Sequence, residues 1–173
     1  CSDPNCIACS GPFKCTDCKG IFSVLNWSTC VETCQEGKVS VNGVCVDCEA
    51  GCKRCSSTDI NECLECKLPL ILYKGDCVEN CPERWVQLNS NPTVCTECGP
   101  HCLTCCRTDK NKCIVCENPF LIDTDKTCVI DCKDGYTPVS GKCAPCEVDN
   151  CKSCDANVKT CEECKAPFLL LAD

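Results

Sequence analysis

The chain has 173 residues, of which 30 are cysteine and none is methionine, and its formal charge is −8. Cysteine at this density reads as a disulfide scaffold, and disulfides persist in oxidising compartments, so the sequence points to a secreted or cell-surface protein. With an acidic balance and no basic stripe or aromatic–basic cluster, it excludes a nucleic-acid partner and disfavours an anionic-lipid surface.

From the N-terminus the cysteines fall into one recurring pattern. Repeat 1, residues 1–47, reads Cys1, Cys6, Cys9, Cys15, Cys18, Cys30, Cys34, Cys45. Repeat 2, residues 48–97, reads Cys48, Cys52, Cys55, Cys63, Cys66, Cys77, Cys81, Cys95. Repeat 3, residues 98–145, reads Cys98, Cys102, Cys105, Cys113, Cys116, Cys128, Cys132, Cys143, and partial repeat 4, residues 146–173, begins Cys146, Cys151, Cys154, Cys161, Cys164. Successive first cysteines, Cys1, Cys48, Cys98 and Cys146, lie 47, 50 and 48 residues apart. Four gaps never vary: second to third, fourth to fifth and sixth to seventh cysteine, and the step across each repeat boundary. Constant gaps mark rigid geometry, whereas the drifting ones behave as loops that tolerate insertion.

An apolar patch follows the fifth cysteine of every repeat, at Ile21–Leu25, Leu68–Tyr73, Pro119–Ile122 and Pro167–Leu171. Each reads as a short strand. In three repeats a polar turn such as Asp123–Lys126 and then a Cys-Val step complete a small β-hairpin. Asn42-Gly43 and Ser140-Gly141 predict a second hairpin turn just before the eighth cysteine, because glycine supplies the positive φ of tight turns. No segment keeps a 3.6-residue period, so little or no helix is expected. The stretch Phe168–Ala172 is too short to span a bilayer, and the chain, opening at Cys1 inside the pattern, reads as a mature fragment without a membrane span.

Eight cysteines allow 105 connectivities, and spacing does not choose among them. The order of two closely set cysteines, a CxxC, a hairpin, a CxxxC and a longer loop resembles the furin-like cysteine-rich repeat of insulin and epidermal growth factor receptors and of proprotein convertases. A Cys-Pro step after the CxxxC, frequent in that family, occurs at Cys81-Pro82. The resemblance implies pairing of first with third, second with fourth, fifth with sixth and seventh with eighth cysteine. In repeat 1 these are Cys1–Cys9, Cys6–Cys15, Cys18–Cys30 and Cys34–Cys45; in repeat 2, Cys48–Cys55, Cys52–Cys63, Cys66–Cys77 and Cys81–Cys95. Repeat 3 takes Cys98–Cys105, Cys102–Cys113, Cys116–Cys128 and Cys132–Cys143; repeat 4 begins Cys146–Cys154 and Cys151–Cys161. Two residues are left over. Cys164 stands at a fifth position, so its partner is expected beyond Asp173. Cys106 has no counterpart in the other repeats and is a free thiol, an intermolecular bridge, or the true partner with Cys105 left over.

A zinc site of four thiolates is disfavoured by the single histidine, by the CxxxC spacing and by the charge that each such site would add to an acidic chain. A redox reading of CxxC needs a thioredoxin-like βαβ context that the sequence lacks. His101 reads as a surface residue, and Asp123 and Asp125 as a hairpin turn without the glycine and glutamate of a calcium loop. Asn26-Trp27-Ser28 is the one allowable N-glycosylation sequon, since Asn91 precedes proline. Trp27 and Trp85 are expected to cap a thin core.

The sequence thus predicts small disulfide-rich repeats, with short β-hairpins and loops stacked into an elongated rod. Its expected role is non-enzymatic, as an extracellular spacer, coat or filament without cofactor or metal, the alternative being a ligand-binding receptor ectodomain. The partners expected are protein, by self-association or as an extracellular ligand, and an N-glycan.

Overall fold

A computed structural model describes residues 1–170. Every regular segment among them is a β-strand, and none is a helix. Leu171, Ala172 and Asp173 lie outside the described residues, and with them the end of the fourth apolar patch. Residues 167–170 of that patch form no strand, in contrast to the expectation.

The chain folds as two compact units, the first Cys1–Cys81 with Pro92–Val94, the second Pro82–Asn91 with the residues from Cys95 onward. In the first unit, Cys6–Gly11 pairs with Lys14–Cys18, and Thr29–Val31, Ser23–Leu25, Val44–Asp47 and Lys38–Val41 lie in that order in a four-stranded sheet. Cys52–Cys55 with Cys63–Cys66 and Ile71–Tyr73 with Asp76–Val78 complete it. The turn joining Val41 to Val44 has Asn42 at φ 50° and Gly43 at φ 78°, the positive pair that a two-residue hairpin needs to match strand twist.

The second unit repeats these parts. Trp85–Gln87 pairs with Cys95–Glu97, Cys102–Cys106 with Asp109–Cys116, and Cys151–Cys154 with Cys161–Cys164. Cys128–Val129, Leu121–Ile122, Lys142–Pro145 and Tyr136–Val139 form the second four-stranded sheet, closed by Ser140 and Gly141 at φ 49° and 78°. In both sheets the strand after the fifth cysteine joins the second hairpin through one parallel bridge, Val24 to Val44 and Ile122 to Lys142. Leu72 makes the equivalent bridge to Val94.

Within the units, one junction links each repeat to the next. Gly37 N–H donates to Lys53 O at 2.7 Å, Arg84 N–H to Leu103 O at 2.9 Å and Gly135 N–H to Lys152 O at 2.7 Å. The same three residues accept on their own carbonyls from Cys48, Cys98 and Cys146 at 2.9, 2.7 and 2.9 Å. All three stand at positive φ, 83°, 69° and 90°.

The core is sulfur. Cys52, Cys55, Cys63 and Cys66 are buried together with Val39, Leu70 and Leu72 packed on them, and Cys15, Cys18 and Cys30 surround Val24, which is 1% exposed. Val86 joins Cys98, Cys102, Cys105 and Cys113 in the second unit. Repeats of about 50 residues bury too little apolar surface to stand alone, and disulfides make up the deficit.

Candidate interaction surface

A hairpin that the sequence pattern does not announce frames each repeat. Cys6–Gly11/Lys14–Cys18 and its three counterparts run from CxxC to CxxC, with register shifts that carry the bulge inside each motif. In Cys52–Cys55/Cys63–Cys66 the bridged sulfurs of Cys52 and Cys63 each lie 3.1 Å from the carbonyl oxygen two residues on, at Arg54 and Glu65. Both sulfurs are oxidised, so these are close contacts and not hydrogen bonds. The bulge turns the two residues between the cysteines outward, and their identity decides what each repeat offers to solvent.

In repeats 2 and 4 they offer an ion pair. Lys53 bridges Glu65, and Arg54 Nε lies 3.8 Å from the same carboxylate; Lys152 Nζ lies 2.6 Å from Glu163. The hydrogen bond and charge of Glu65 hold the Lys53 ammonium above its ordinary value, and Lys53 holds the Glu65 carboxyl below the usual range. Repeat 3 departs from this. Half-buried Leu103 replaces the lysine and Val115 the glutamate, and Ile114 and Val115 are 52% and 47% exposed, an apolar face on a solvent-facing hairpin.

Repeat 1 is unusual at its tips. Pro12 and Phe13 cap the first hairpin and Asn26, Trp27 and Ser28 the next, whereas repeats 3 and 4 turn the first hairpin without an aromatic residue, through Arg107-Thr108 and Asp155–Thr160. Phe13 is 75% and Trp27 58% exposed. Trp27 therefore does not cap the core, contrary to expectation: it stands at φ 57° behind Asn26 at φ 51°, in a turn closed by Ser28 N–H to Leu25 O at 3.1 Å, which holds the ring away from Val24. The two tips flank a groove of about 610 Å³ lined by Ser10, Phe13, Lys14, Thr16, Asn26, Trp27 and Ser28. Trp85 is half-buried, and its neighbour Val86 enters the core.

The bonded pairs are Cys1–Cys9, Cys6–Cys15, Cys18–Cys30 and Cys34–Cys45 in repeat 1, and Cys48–Cys55, Cys52–Cys63 and Cys66–Cys77 in repeat 2. Cys98–Cys105, Cys102–Cys113, Cys116–Cys128, Cys132–Cys143, Cys146–Cys154 and Cys151–Cys161 follow. Cys81 and Cys95 are disulfide-bonded as well, while Cys106 and Cys164 are free, half-buried thiols. Cys106 sits opposite Asp109 at a hairpin tip. His101 is exposed; its Nδ1 lies 3.4 Å from Glu117, its ring stacks on Phe120 at 3.8 Å, and Arg84 pairs with the same glutamate at 2.7 Å. Asp125 accepts from the hydroxyl and the amide of Thr127 at 2.6 and 3.0 Å, contacts that hold its carboxyl below the ordinary value and close a turn.

No family model matches the chain. It is 37% identical over 81 residues to mouse proprotein convertase subtilisin/kexin type 5, which covers 47% of this chain and 4% of that protein. It is 32% identical over 88 residues to mouse R-spondin-4, 44% of this chain and 38% of the other, and 31% over 87 residues to human extracellular matrix organizing protein FRAS1, 48% and 2%. The chain thus spans 4%, 38% and 2% of the length of these relatives. The chain is similar to proteins with furin-like cysteine-rich repeats and is an extracellular, disulfide-rich protein.

Proposed function

We propose that this array of furin-like repeats is a non-catalytic structural element of the cell exterior, a disulfide-stapled rod whose hairpins face outward in a coat or filament. Its structural units are the repeats 1–47, 48–97, 98–145 and 146–173. The observation that carries the reading is the recurring junction of Gly37 with Lys53, Arg84 with Leu103 and Gly135 with Lys152, because identical links between neighbours make an array whose stability is a sum of repeat and nearest-neighbour terms. What a repeat exposes is then free to vary. Repeats 2 and 4 expose charge pairs that favour solubility, and repeat 3 exposes Ile114 and Val115 beside Leu103, an apolar contact face for a second copy of the chain.

A second reading assigns that face to an extracellular protein ligand. It is favoured by the loss of both charged positions in repeat 3 alone, since repeat 1 changes the lysine position to Ile7 but keeps an acid at Asp17, and a filament contact would serve as well on every repeat. Sedimentation velocity of the disulfide-intact chain over a wide concentration range separates the two. Growth of larger species with concentration is the outcome expected of the structural reading; one monomeric boundary throughout would end it and leave the ligand reading.

A further inference from the structure

Two large aromatic side chains stand in solvent in repeat 1, and one of them bears a backbone cost. A bulky residue in the left-handed region is disfavoured by about 1–2 kcal/mol, and Trp27 at φ 57° gains no burial in return. An outlier of this kind points to function at the position it distorts. Asn26 directly precedes it in the sequon Asn26-Trp27-Ser28. The Asn26 side chain is exposed, its amide makes no hydrogen bond among the described residues, and the residue forms part of the wall of the groove that Phe13 and Trp27 flank.

We propose that Asn26 carries an N-linked oligosaccharide whose first sugars lie in this groove against Phe13 and Trp27. The inference rests on the extracellular reading, because the modification requires passage through a glycosylating lumen. The donor is an oligosaccharide on a polyprenyl pyrophosphate. A bond forms between Asn26 Nδ2 and the anomeric carbon, the carbon–oxygen bond to pyrophosphate breaks, the lipid pyrophosphate leaves with the electron pair, and one amide proton passes to a base of the transferring enzyme. No oxidation state changes. Because the attachment residue lines the groove, the sugar is tethered within reach of both rings. The negative face of an aromatic ring attracts the weakly positive C–H bonds of a pyranose, while Ser10, Lys14 and Ser28 offer polar partners to its hydroxyls. A groove of about 610 Å³ has room for the first sugars of such a chain.

The test uses the chain secreted in oxidised form from a eukaryotic host. Enzymatic removal of N-glycans converts a carrying asparagine to aspartate, so a mass change mapped to residue 26, absent from Ser28→Ala, is expected. Hydroxyl-radical footprinting then reads the seat: Trp27 and Phe13 should be oxidised severalfold more slowly in the glycosylated protein than after glycan removal, with Trp85 unchanged as the internal reference. Ser28→Ala, which leaves both aromatics in place, should match the deglycosylated form. Secretion with Asn26 bare overturns the proposal and leaves the extracellular reading standing. Occupancy with equal oxidation in both forms overturns the seat, and retention of a reduced chain inside the cell overturns both.

Discussion

The backbone of Arg84 stands at φ 69° and donates its N–H to Leu103 O at 2.9 Å, which places an arginine where the equivalent junctions use Gly37 and Gly135. The left-handed conformation belongs to the junction and not to the residue. A Cβ on Gly135 would lie 3.1 Å from Lys165 Nζ, the free end of a flexible side chain, so backbone strain dominates the cost of replacing it. Gly135→Ala is expected to destabilise the second unit by about 1–2 kcal/mol. Arg84→Ala keeps a backbone that already tolerates a side chain and loses a partly exposed pair with Glu117, so about 1 kcal/mol or less is expected. Urea unfolding of both variants measures the difference; equal effects would contradict the ranking.

The sulfurs of Cys63 and Cys77 lie 3.3 Å apart although each is bonded elsewhere, Cys63 to Cys52 and Cys77 to Cys66. With both oxidised, this is packing between two disulfides and not a hydrogen bond. Removing one bridge therefore strips cover from the other. The double variant Cys66→Ala, Cys77→Ala opens a loop of sequence separation 11 and should cost about 3 kcal/mol through chain entropy. It should also speed reduction and alkylation of Cys52–Cys63 by mild thiol. Unchanged reduction kinetics at that bridge would show that the stack gives no protection.

The class of fold was legible because cysteine at this density in a recurring pattern marks a cross-linked repeat, and the turns at Asn42-Gly43 and Ser140-Gly141 were legible because glycine there has one physical reason. The CxxC hairpins were not. Cys52–Cys55 and Cys63–Cys66 carry no alternation of apolar and polar residues, since their inward positions are cysteine and their bulges break the period of two. For the same reason the contrast between Lys53–Glu65 and Leu103–Val115 was invisible: only the bulged hairpin reveals that Lys53 and Glu65 meet across the strands and that Leu103 and Val115 take their places one repeat later. Trp27 was misjudged because composition favours burying tryptophan, whereas the turn geometry of Asn26 and Trp27 directs it outward.

Asp3 gives the first repeat a dependence on pH. Its carboxyl accepts from Cys30 N–H at 2.9 Å and from Asn5 N–H at 2.8 Å, and these bonds, that from Cys30 foremost, hold it below its ordinary value of 3.8. The folded protein favours the charged form, so the contribution is complete above 3.8 and fades as pH falls through the lower folded value. The amide protons of Cys30 and Asn5 should shift together in an NMR titration with a midpoint below 3.8, and Asp3→Asn should abolish the shift. A midpoint at or above 3.8 would contradict the assignment.

The apolar face of repeat 3 can be converted to the surface of repeat 2 by two substitutions, because Leu103 and Val115 occupy the positions of Lys53 and Glu65 one repeat earlier. Leu103→Lys with Val115→Glu restores a cross-strand ion pair, and an exposed pair contributes about 0–1 kcal/mol, so urea stability should stay within about 1 kcal/mol of the parent. The carbonyl of residue 103, which receives the Arg84 amide, is untouched by either change. Association should change far more. If Ile114 and Val115 form the contact between copies, the larger species in sedimentation velocity disappear in the double variant while the monomer remains folded. Persistence of those species at the parent's concentrations would move the contact to another surface, since burying a lysine–glutamate pair in an apolar interface costs desolvation that can exceed the pair's own attraction.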